Sequence, residues 1–433
     1  YYARLSDGHF IFGSELKSLK VHSGLPRDID PNAVEEYFTF GYVPEPKTIY
    51  KGVYKLPPGF RLTLQRGIEQ MRPEQYWDVS FSAGSSTSED AAGRELIERF
   101  EDAVRIRMIA EVPLGAFLSG GVDSSAVVAA MARVSDDPVI TCSISFGDPK
   151  YNESQYAAMV ADQYKTAHRV EQVDPDDFGL IDQLADLYDE PYADSSALPT
   201  YRVCELAKKQ VTVVLSGDGG DENLAGYRRY RWHTYEEKMR SLLSDGIRRN
   251  LFGFLGDVYP KADWAPKIFR AKSTFEAMAR DSLEGYLHSV SIMSNQMRSS
   301  LFSEKLKSDL QGYQAVEVFR RHAKQAPTDH PLSLVQYLDI KTYLPGDILT
   351  KVDRASMAHA LEVRVPILDH QLVDWISGLS PELKLRGREG KYIFKKALES
   401  RLPENILYRP KMGFAVPLDS WFRGPLRQKV RDS

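Results

Sequence analysis

The stretch Val112-Pro-Leu-Gly-Ala-Phe-Leu-Ser-Gly-Gly-Val-Asp-Ser-Ser-Ala126 has residue types suited to gripping an anion. Its apolar start, Val112 to Leu118, reads as a strand. Ser119, Gly120 and Gly121 make a turn, and a helix is predicted from about Asp123 to Arg133. Paired glycines let the backbone bend sharply and bring its N–H groups close to a bound group. The helix behind them points unpaired donors and a partial positive charge back at the turn. Together they form a site for phosphates. It is not a Walker A loop, because no Gly-Lys-Ser/Thr follows at the required spacing.

A lone Ser-Gly-Gly would be an ordinary turn. Here Asp123, Ser124 and Ser125 open the helix, and Ser119-Gly-Gly-Val-Asp-Ser-Ser125 resembles the pyrophosphate-binding loop of the ATP-pyrophosphatase (PP-loop) enzymes. That resemblance implies cleavage of ATP between its α- and β-phosphates and adenylation of a substrate. A second loop, Ser216-Gly-Asp-Gly-Gly-Asp-Glu222, follows an apolar strand at Val211 to Leu215. Its carboxylates would repel a triphosphate unless a cation lay between. Mg²⁺ is typically held by one or two carboxylates plus substrate phosphates, so Asp123 and Asp221 are the candidate metal ligands. Alone, the loop would read as a solvated acidic turn.

These loops need a scaffold, and the chain from residue 89 to 234 alternates β and α. A helix is predicted over Asp90 to Arg107, and Val139 to Phe146 is apolar enough for a strand buried on both faces. A helix over Asn152 to Tyr164 and a strand over His168 to Val173 follow. Helices near Phe178 to Tyr188 and Pro199 to Lys209 precede the strand at Val211. The fold class is α/β, a doubly wound parallel sheet whose strand C-termini bring Ser119 to Ser125, Ile144 to Asp148 and Ser216 to Glu222 to one crevice. Earlier, Tyr1 to Phe12 reads as a hairpin around Asp7-Gly8, followed by a short helical turn at Ser14 to Leu19. Asp30-Pro31 starts a helix that runs to Phe40. Residues 25 to 88 form a proline-punctuated connector with short strands at Phe60 to Leu64 and Glu74 to Asp78. It ends in a polar linker at Ser82 to Ser88. From about Tyr230 the pattern turns helical: residues 235 to 330 read as a helical insertion, and 331 to 433 as a helical C-terminal part.

Beyond the PP-loop, Ser216-Gly-Asp-Gly-Gly-Asp-Glu-Asn-Leu-Ala-Gly-Tyr227 resembles the second signature of the class B, glutamine-hydrolysing asparagine synthetases. So do Asp189 to Thr200, Lys351 to Asp369 and Gly387 to Tyr392. Arg409-Pro-Lys-Met-Gly-Phe-Ala-Val-Pro417 is especially similar to the asparagine-synthetase-like amidotransferases of bacterial exopolysaccharide clusters. The resemblance covers essentially the whole chain. It implies an adenine nucleotide alpha hydrolase-like fold in which Leu118, Ile144, Ser216 and Gly217 line the adenosine pocket. Ser119, Gly120, Gly121, Asp123, Ser124 and Ser125 would hold the pyrophosphate, with Mg²⁺ on Asp123 and Asp221. Lys391, which alone would read as a solvated surface lysine, matches the family lysine at the phosphates, where a fixed cation lowers the barrier. Asp218 stands where the best-known asparagine synthetases carry Glu, a position important for the acyl-adenylate and a candidate base for the incoming amine. That substitution bears on whether the acceptor is aspartate or a differently shaped acid. Asp194 and Ser195 are capping types that the resemblance places in a loop facing the adenylate. Glu362 and Arg364, read on a helix ended by Pro366, are either an ion pair or substrate-proximal.

The resemblance further implies a glutaminase domain with an N-terminal nucleophilic cysteine. The chain opens at Tyr1, so residues 1 to 24 are expected to be the last hairpin and helix of that domain. This segment alone would then use free ammonia. The two cysteines, Cys142 and Cys204, lack metal or disulfide spacing and read as small buried hydrophobes. A net charge of −4 gives no electrostatic reason to expect nucleic acid, and no apolar run is long enough for a bilayer. The expectation is a cytoplasmic, ATP- and Mg²⁺-dependent amidotransferase, possibly a homodimer, acting on a small carboxylate, with aspartate first and a sugar acid second. Rivals from other classes are a tRNA-modifying PP-loop enzyme and a non-catalytic nucleotide-binding scaffold. The charge and the isolated cysteines weigh against the first, and the presence of Asp123, Asp221 and Lys391 against the second.

Overall fold

A computed structural model describes residues 1–65, 72–81, 88–148, 152–173, 179–259, 272–412, 416, 418–424 and 426–432. The polar linker expected at Ser82 to Ser88 lies, apart from Ser88, outside them. The chain divides into two compact units, Tyr1–Ser82 with Ala225–Gly346 and Ala83–Leu224 with Asp347–Ser433.

The second unit is built on five parallel strands: β1 (Leu114–Phe117), β2 (Ile140–Phe146), β3 (Ala167–Val173), β4 (Val213–Leu215) and β5 (Glu362–Arg364). Their spatial order is β5-β4-β1-β2-β3, with Gly115 opposite both Ile140 and Val214. The order therefore runs outward in two directions from the β1/β4 pair. In an open parallel sheet, the crevice outside such a reversal is where ligands bind. The loops leaving β1 and β4 are Ser119–Gly121 and Ser216–Gly219.

Helices cover both faces, as continuous apolar strands require. On one side pack α1 (Glu89–Arg107), α2 (Val122–Val134) and α3 (Ser154–Tyr164), joined by α5 (Tyr392–Leu398) near the chain's end. Leu96, Phe100 and Val104 of α1 bury against Ala126, Val127 and Ala130 of α2, with the Phe394 ring edge-on to Phe100 at 5.3 Å. Each such large side chain contributes about 1.5–3 kcal/mol relative to leaving it exposed. On the other side α4 (Ala197–Lys208) lays Val203, Cys204 and Ala207 against Cys142 and Ile144 of β2. Both cysteines are free and buried, as expected.

One element departs from the sequence reading. Glu362 and Arg364 lie on the edge strand β5, not on a helix. Pairing with β4 makes this strand: Val363 sits opposite Val214, and the Ser216 N–H donates to the Arg364 carbonyl at 2.9 Å. Three residues are too short to show a period. Pro366 opens a 3-10 turn rather than closing a helix.

In the first unit, Tyr2–Arg4 pairs antiparallel with Phe10–Phe12 on one side and Val53–Tyr54 on the other. The helix Pro31–Phe40 starts as expected, with Asp30 accepting from the Asn32 N–H at 2.9 Å, and stops at Gly41 in the left-handed region. The expected strands at Phe60 to Leu64 and Glu74 to Asp78 shrink to Phe60–Arg61 and Glu74–Gln75. The later helices close on buried charges. Asp339 takes Arg229 at 2.6 Å and the hydroxyls of Tyr230 and Tyr286 at 2.7 Å. Among the described residues no helix is long and apolar enough to cross a membrane.

Candidate active site

The loop after β1 is held by its own serines. The Ser119 N–H donates to Ser124 Oγ at 3.2 Å, Ser124 Oγ donates to the Gly121 carbonyl at 3.2 Å, and the Gly121 N–H donates to Ser119 Oγ at 3.3 Å. Gly120 has φ +73° and backs onto α3, where an added Cβ would stand 2.6 Å from the Ala157 nitrogen. Only glycine fits there. No side chain caps α2 at Gly121, so the helix N-terminus keeps the character of an anion site. Leu118 and Ile144 are buried at the ends of their strands, and Ser216 and Gly217 begin the loop after β4.

The two loops meet. Asp123 and Asp221, far apart in sequence, both pair with Lys391 Nζ, which lies 2.9 Å from Asp221 Oδ1. Lys391 is buried, its side chain 7% exposed, and not the surface lysine its sequence surroundings suggest. Its backbone sits in the left-handed region at φ +56°, fixed by an N–H bond to the Leu224 carbonyl at 2.9 Å. A non-glycine residue held there costs about 1 kcal/mol or more and persists only where surroundings enforce it. Burial alone would lower the Lys391 pKa, but the Asp123 and Asp221 charges outweigh it and raise it. Burial pushes the Asp123 carboxyl up against the pull of Lys391. At Asp221 the same penalty is overcome by Lys391 and Lys411, which hold its carboxyl below the usual range.

Among the described residues, Asp123 Oδ1 and Asp221 Oδ1 are both buried and accept no hydrogen bond, although Asp221 Oδ1 lies within ion-pair distance of Lys391 and Lys411. Among the described residues no group of three or more His, Cys, Asp or Glu side chains is arranged as a metal cage. Two converging carboxylates, each with an oxygen that accepts no hydrogen bond, fit a hard cation that completes its shell from a ligand's oxygens, the Mg²⁺ pattern.

Asp218 folds back to accept from Ser216 Oγ at 2.6 Å. Burial raises its pKa, Ser216 and Lys351 oppose the rise, and Asp123 and Asp221 add to it. Lys351 anchors the neighbouring wall, donating to Asp194 Oδ2 at 2.6 Å and Ser196 Oγ at 2.8 Å. Asp194 also accepts from the Ser196 N–H at 2.8 Å, which is the local turn, and its bond from Lys351 takes its role beyond that turn. Burial would raise Asp194, yet Lys351 and Ser196 together lower it. Next to it, burial and then the Asp194 charge push Asp347 up to about 7. Ser195 is exposed.

Glu362 is not brought to this cluster. It stands opposite Val213, at the N-terminal end of the parallel strands, whereas the loops leave the C-terminal end. It is exposed and pairs with Arg364 at 2.6 Å, the plain ion-pair alternative.

Sequence reasoning assigned no role to four residues found here. Lys351 holds Asp194, and Lys411 Nζ lies 2.6 Å from Asp221 Oδ1. Arg409 donates to the Gly120 carbonyl at 3.1 Å and pairs with Glu153 at 2.6 Å. Lys351, Arg409 and Lys411 stand inside stretches already singled out as motifs, which was the available signal; residues 413–415 and 417 of the last motif lie outside the described set.

Comparison with known proteins agrees with this layout. The asparagine synthase family model matches residues 95–433, and a glutamine amidotransferase domain model matches residues 1–77. The chain is 31% identical over its full length to asparagine synthetase [glutamine-hydrolyzing] 1 of Bacillus subtilis, covering 66% of that protein. It is 33% identical over 410 residues to a putative asparagine synthetase of Mycobacterium tuberculosis, covering 92% of this chain and 60% of the relative. Amidase chry2 of Gibberella zeae is 26% identical over 425 residues, with 61% of that protein covered. The chain thus spans somewhat under two thirds of these relatives' length. With the parallel sheet, the glycine loop and the matched model in agreement over most of its residues, the chain belongs to the asparagine synthase family.

Proposed function

We propose that the second unit adenylates a carboxylate with ATP and passes the acyl group to ammonia, with L-aspartate as the acceptor and L-asparagine as the product. The convergence of Asp123 and Asp221 on Lys391 at the sheet's reversal point carries this reading. In the first step a carboxylate oxygen attacks the α-phosphorus. The bond to the bridging oxygen breaks, and pyrophosphate leaves. In the second step ammonia attacks the acyl carbon, the bond to AMP breaks, and one proton is lost from nitrogen.

The chain's residues divide the work. The Ser119–Ser125 loop and the N-terminus of α2 bind the phosphates, and Leu118 and Ile144 supply apolar walls for the adenosine. Lys391 stabilises negative charge as it builds on the departing pyrophosphate. Mg²⁺ held by Asp123 and Asp221 would screen the triphosphate from the acidic loop. Asp218, whose pKa is raised, would take the proton from the incoming amine. Ammonia would come from glutamine through a glutaminase domain, whose family model residues 1–77 match. A cytoplasmic location and a homodimer are part of the same reading.

Asp218, one methylene shorter than the family's usual Glu, favours a second reading in which the acceptor is another carboxylate, such as a sugar acid. The test is pyrophosphate release from ATP, Mg²⁺ and ammonia across a panel of carboxylic acids. Stimulation by aspartate alone supports the first reading, and stimulation by a bulkier acid the second. ATP binding with no response to any acid would leave a scaffold.

A further inference from the structure

Two consecutive helices of the first unit, Arg228–Leu242 and Asp245–Val258, each leave an apolar stripe uncovered. On the first, Trp232, Tyr235, Met239 and Leu242 are exposed at spacings of three, four and three. On the second, Ile247, Leu251, Phe254 and Val258 are exposed at spacings of four, three and four. Side chains at those intervals share one face of a helix. Leu242, Phe254 and Val258 are 75%, 65% and 64% exposed, so they are not the margin of a core. Single apolar residues are ordinary on a surface, whereas two stripes in step with the helical turn mark a site of interaction.

The inner sides of both helices are already occupied. Arg240 donates to the Ala277 carbonyl at 2.7 Å, and Arg248 to the Met278 carbonyl at 2.5 Å. Phe252 stacks on Phe275 with ring centres 6.1 Å apart, and Tyr230 and His233 are buried. Both helices are thus anchored to the same neighbour, Lys272–Ala279, and the apolar stripes lie on sides that this anchoring leaves open.

Charge selects what covers those sides. Residues 228–258 hold seven lysines and arginines against four carboxylates, in a chain whose net charge is −4. Among the described residues of the two helices, the exposed charges are Arg228, Lys238 and Arg249, all cationic. Glu236 and Glu237 are taken up by Arg240. Trp232 itself sits between the guanidiniums of Arg228 and Arg231, each 5.9 Å from its ring centre. A second copy related by a two-fold axis would set this patch against itself and gather like charges at one contact. An anionic lipid surface suits both features: acyl chains receive the Trp, Leu and Phe side chains while headgroups receive the cations. Helices of 15 and 14 residues, each about 20 Å long, can lie in that plane without spanning the bilayer.

We propose that the outer faces of Arg228–Leu242 and Asp245–Val258 dock the protein on anionic lipid bilayers, with both helices lying in the interfacial layer. The inference does not draw on the ATP-dependent reading above, and either can fail without the other.

The test is co-sedimentation of the 433-residue protein with phosphatidylcholine vesicles, plain or with about a third phosphatidylglycerol. Binding is expected to the mixed vesicles, at least about ten-fold weaker to the plain ones, and to weaken with added salt. The triple variant Arg228→Gln, Lys238→Gln, Arg249→Gln should bind the mixed vesicles about a hundred-fold less tightly. Leu251→Ser with Phe254→Ser should bind them at least about ten-fold less tightly. All five side chains are exposed, so both variants should match the parent by circular dichroism. Equal binding to both kinds of vesicle, or no effect of either variant, overturns the proposal. A second readout keeps the native side chains: lipids brominated on the acyl chain should quench tryptophan fluorescence in the parent and markedly less in Trp232→Phe. Absence of quenching, or equal quenching in the two proteins, would show that this face stays out of the bilayer. No vesicle binding, together with self-association in ultracentrifugation that Leu251→Ser with Phe254→Ser abolishes, would make the face a contact between copies instead and would also overturn the proposal.

Discussion

Gly217 backs directly onto Asp123: a Cβ added to Gly217 would lie 2.9 Å from Asp123 Cβ and 2.7 Å from the Ser124 nitrogen. The acidic loop and the phosphate loop are thus in backbone contact, and their separation is set by a missing side chain. Gly217→Ala must push them apart, an overpacking cost of about 1–3 kcal/mol. Its effect on turnover should exceed that loss, because a shift of about 1 Å in a catalytic array can cost on the order of a hundred-fold. The expected result is a folded protein with a lowered melting temperature and pyrophosphate release down by roughly that factor. Near-normal turnover would mean that the loops need not touch.

Asp221 separates chemistry from folding. Its carboxylate faces two lysines, and removing it leaves Lys391 with Asp123 as counter-ion. Asp221→Ala should therefore remain folded by circular dichroism while losing pyrophosphate release by about a thousand-fold or more, the scale of removing one electrostatic stabiliser. Activity within ten-fold of the parent would withdraw the metal-binding assignment.

Lys391 behaves in the opposite way. It is the cation between two largely buried carboxylates, and Lys391→Met leaves them facing each other with only Lys411 to compensate. Breaking a buried pair from one side costs about 3–5 kcal/mol; solvent access to the pair places the expected loss near the lower end. Adding Asp123→Asn removes one of the stranded charges. The double variant should regain much of the stability in urea denaturation and none of the activity. Additive destabilisation by the two substitutions would show that Asp123 and Lys391 are not coupled.

How far this site could be read from sequence depends on the kind of feature. The glycine loop and the acidic loop were legible, because each follows an apolar strand and carries glycines where the backbone needs them, at Gly120 with φ +73° and Gly219 with φ +84°. The parallel sheet and its strands followed from βαβ alternation except for β5, whose three residues are made a strand by pairing with Val213–Leu215; the strand order is set by long-range pairing. Lys391 shows the limit. Its burial and left-handed backbone are imposed by Leu224, Asp123 and Asp221, all distant in the chain, so local sequence describes it as a surface lysine. Lys351 and Lys411 are the same case: their partners Asp194 and Asp221 lie far away in sequence, and ion pairs of that kind leave no period to detect.

Lys384 offers a test of the fold that is independent of the site. It is fully buried in the second unit, its Nζ donating to the Ser377 carbonyl at 3.2 Å. Burial pushes its pKa down to about 7 from the ordinary lysine value. Between pH 7 and the unfolded value of roughly 10.4 the unfolded chain binds the extra proton, so this group makes stability rise with pH across that window. Below pH 7 both states are protonated, and the folded protein carries the full cost of a buried charge. Lys384→Met removes the titration. Measured by urea denaturation at pH 7, 8.5 and 10, the variant's gain over the parent should be largest at pH 7. It should then shrink by on the order of 1 kcal/mol per pH unit. A difference constant with pH would show that Lys384 keeps its charge in the fold, through solvent or a counter-ion.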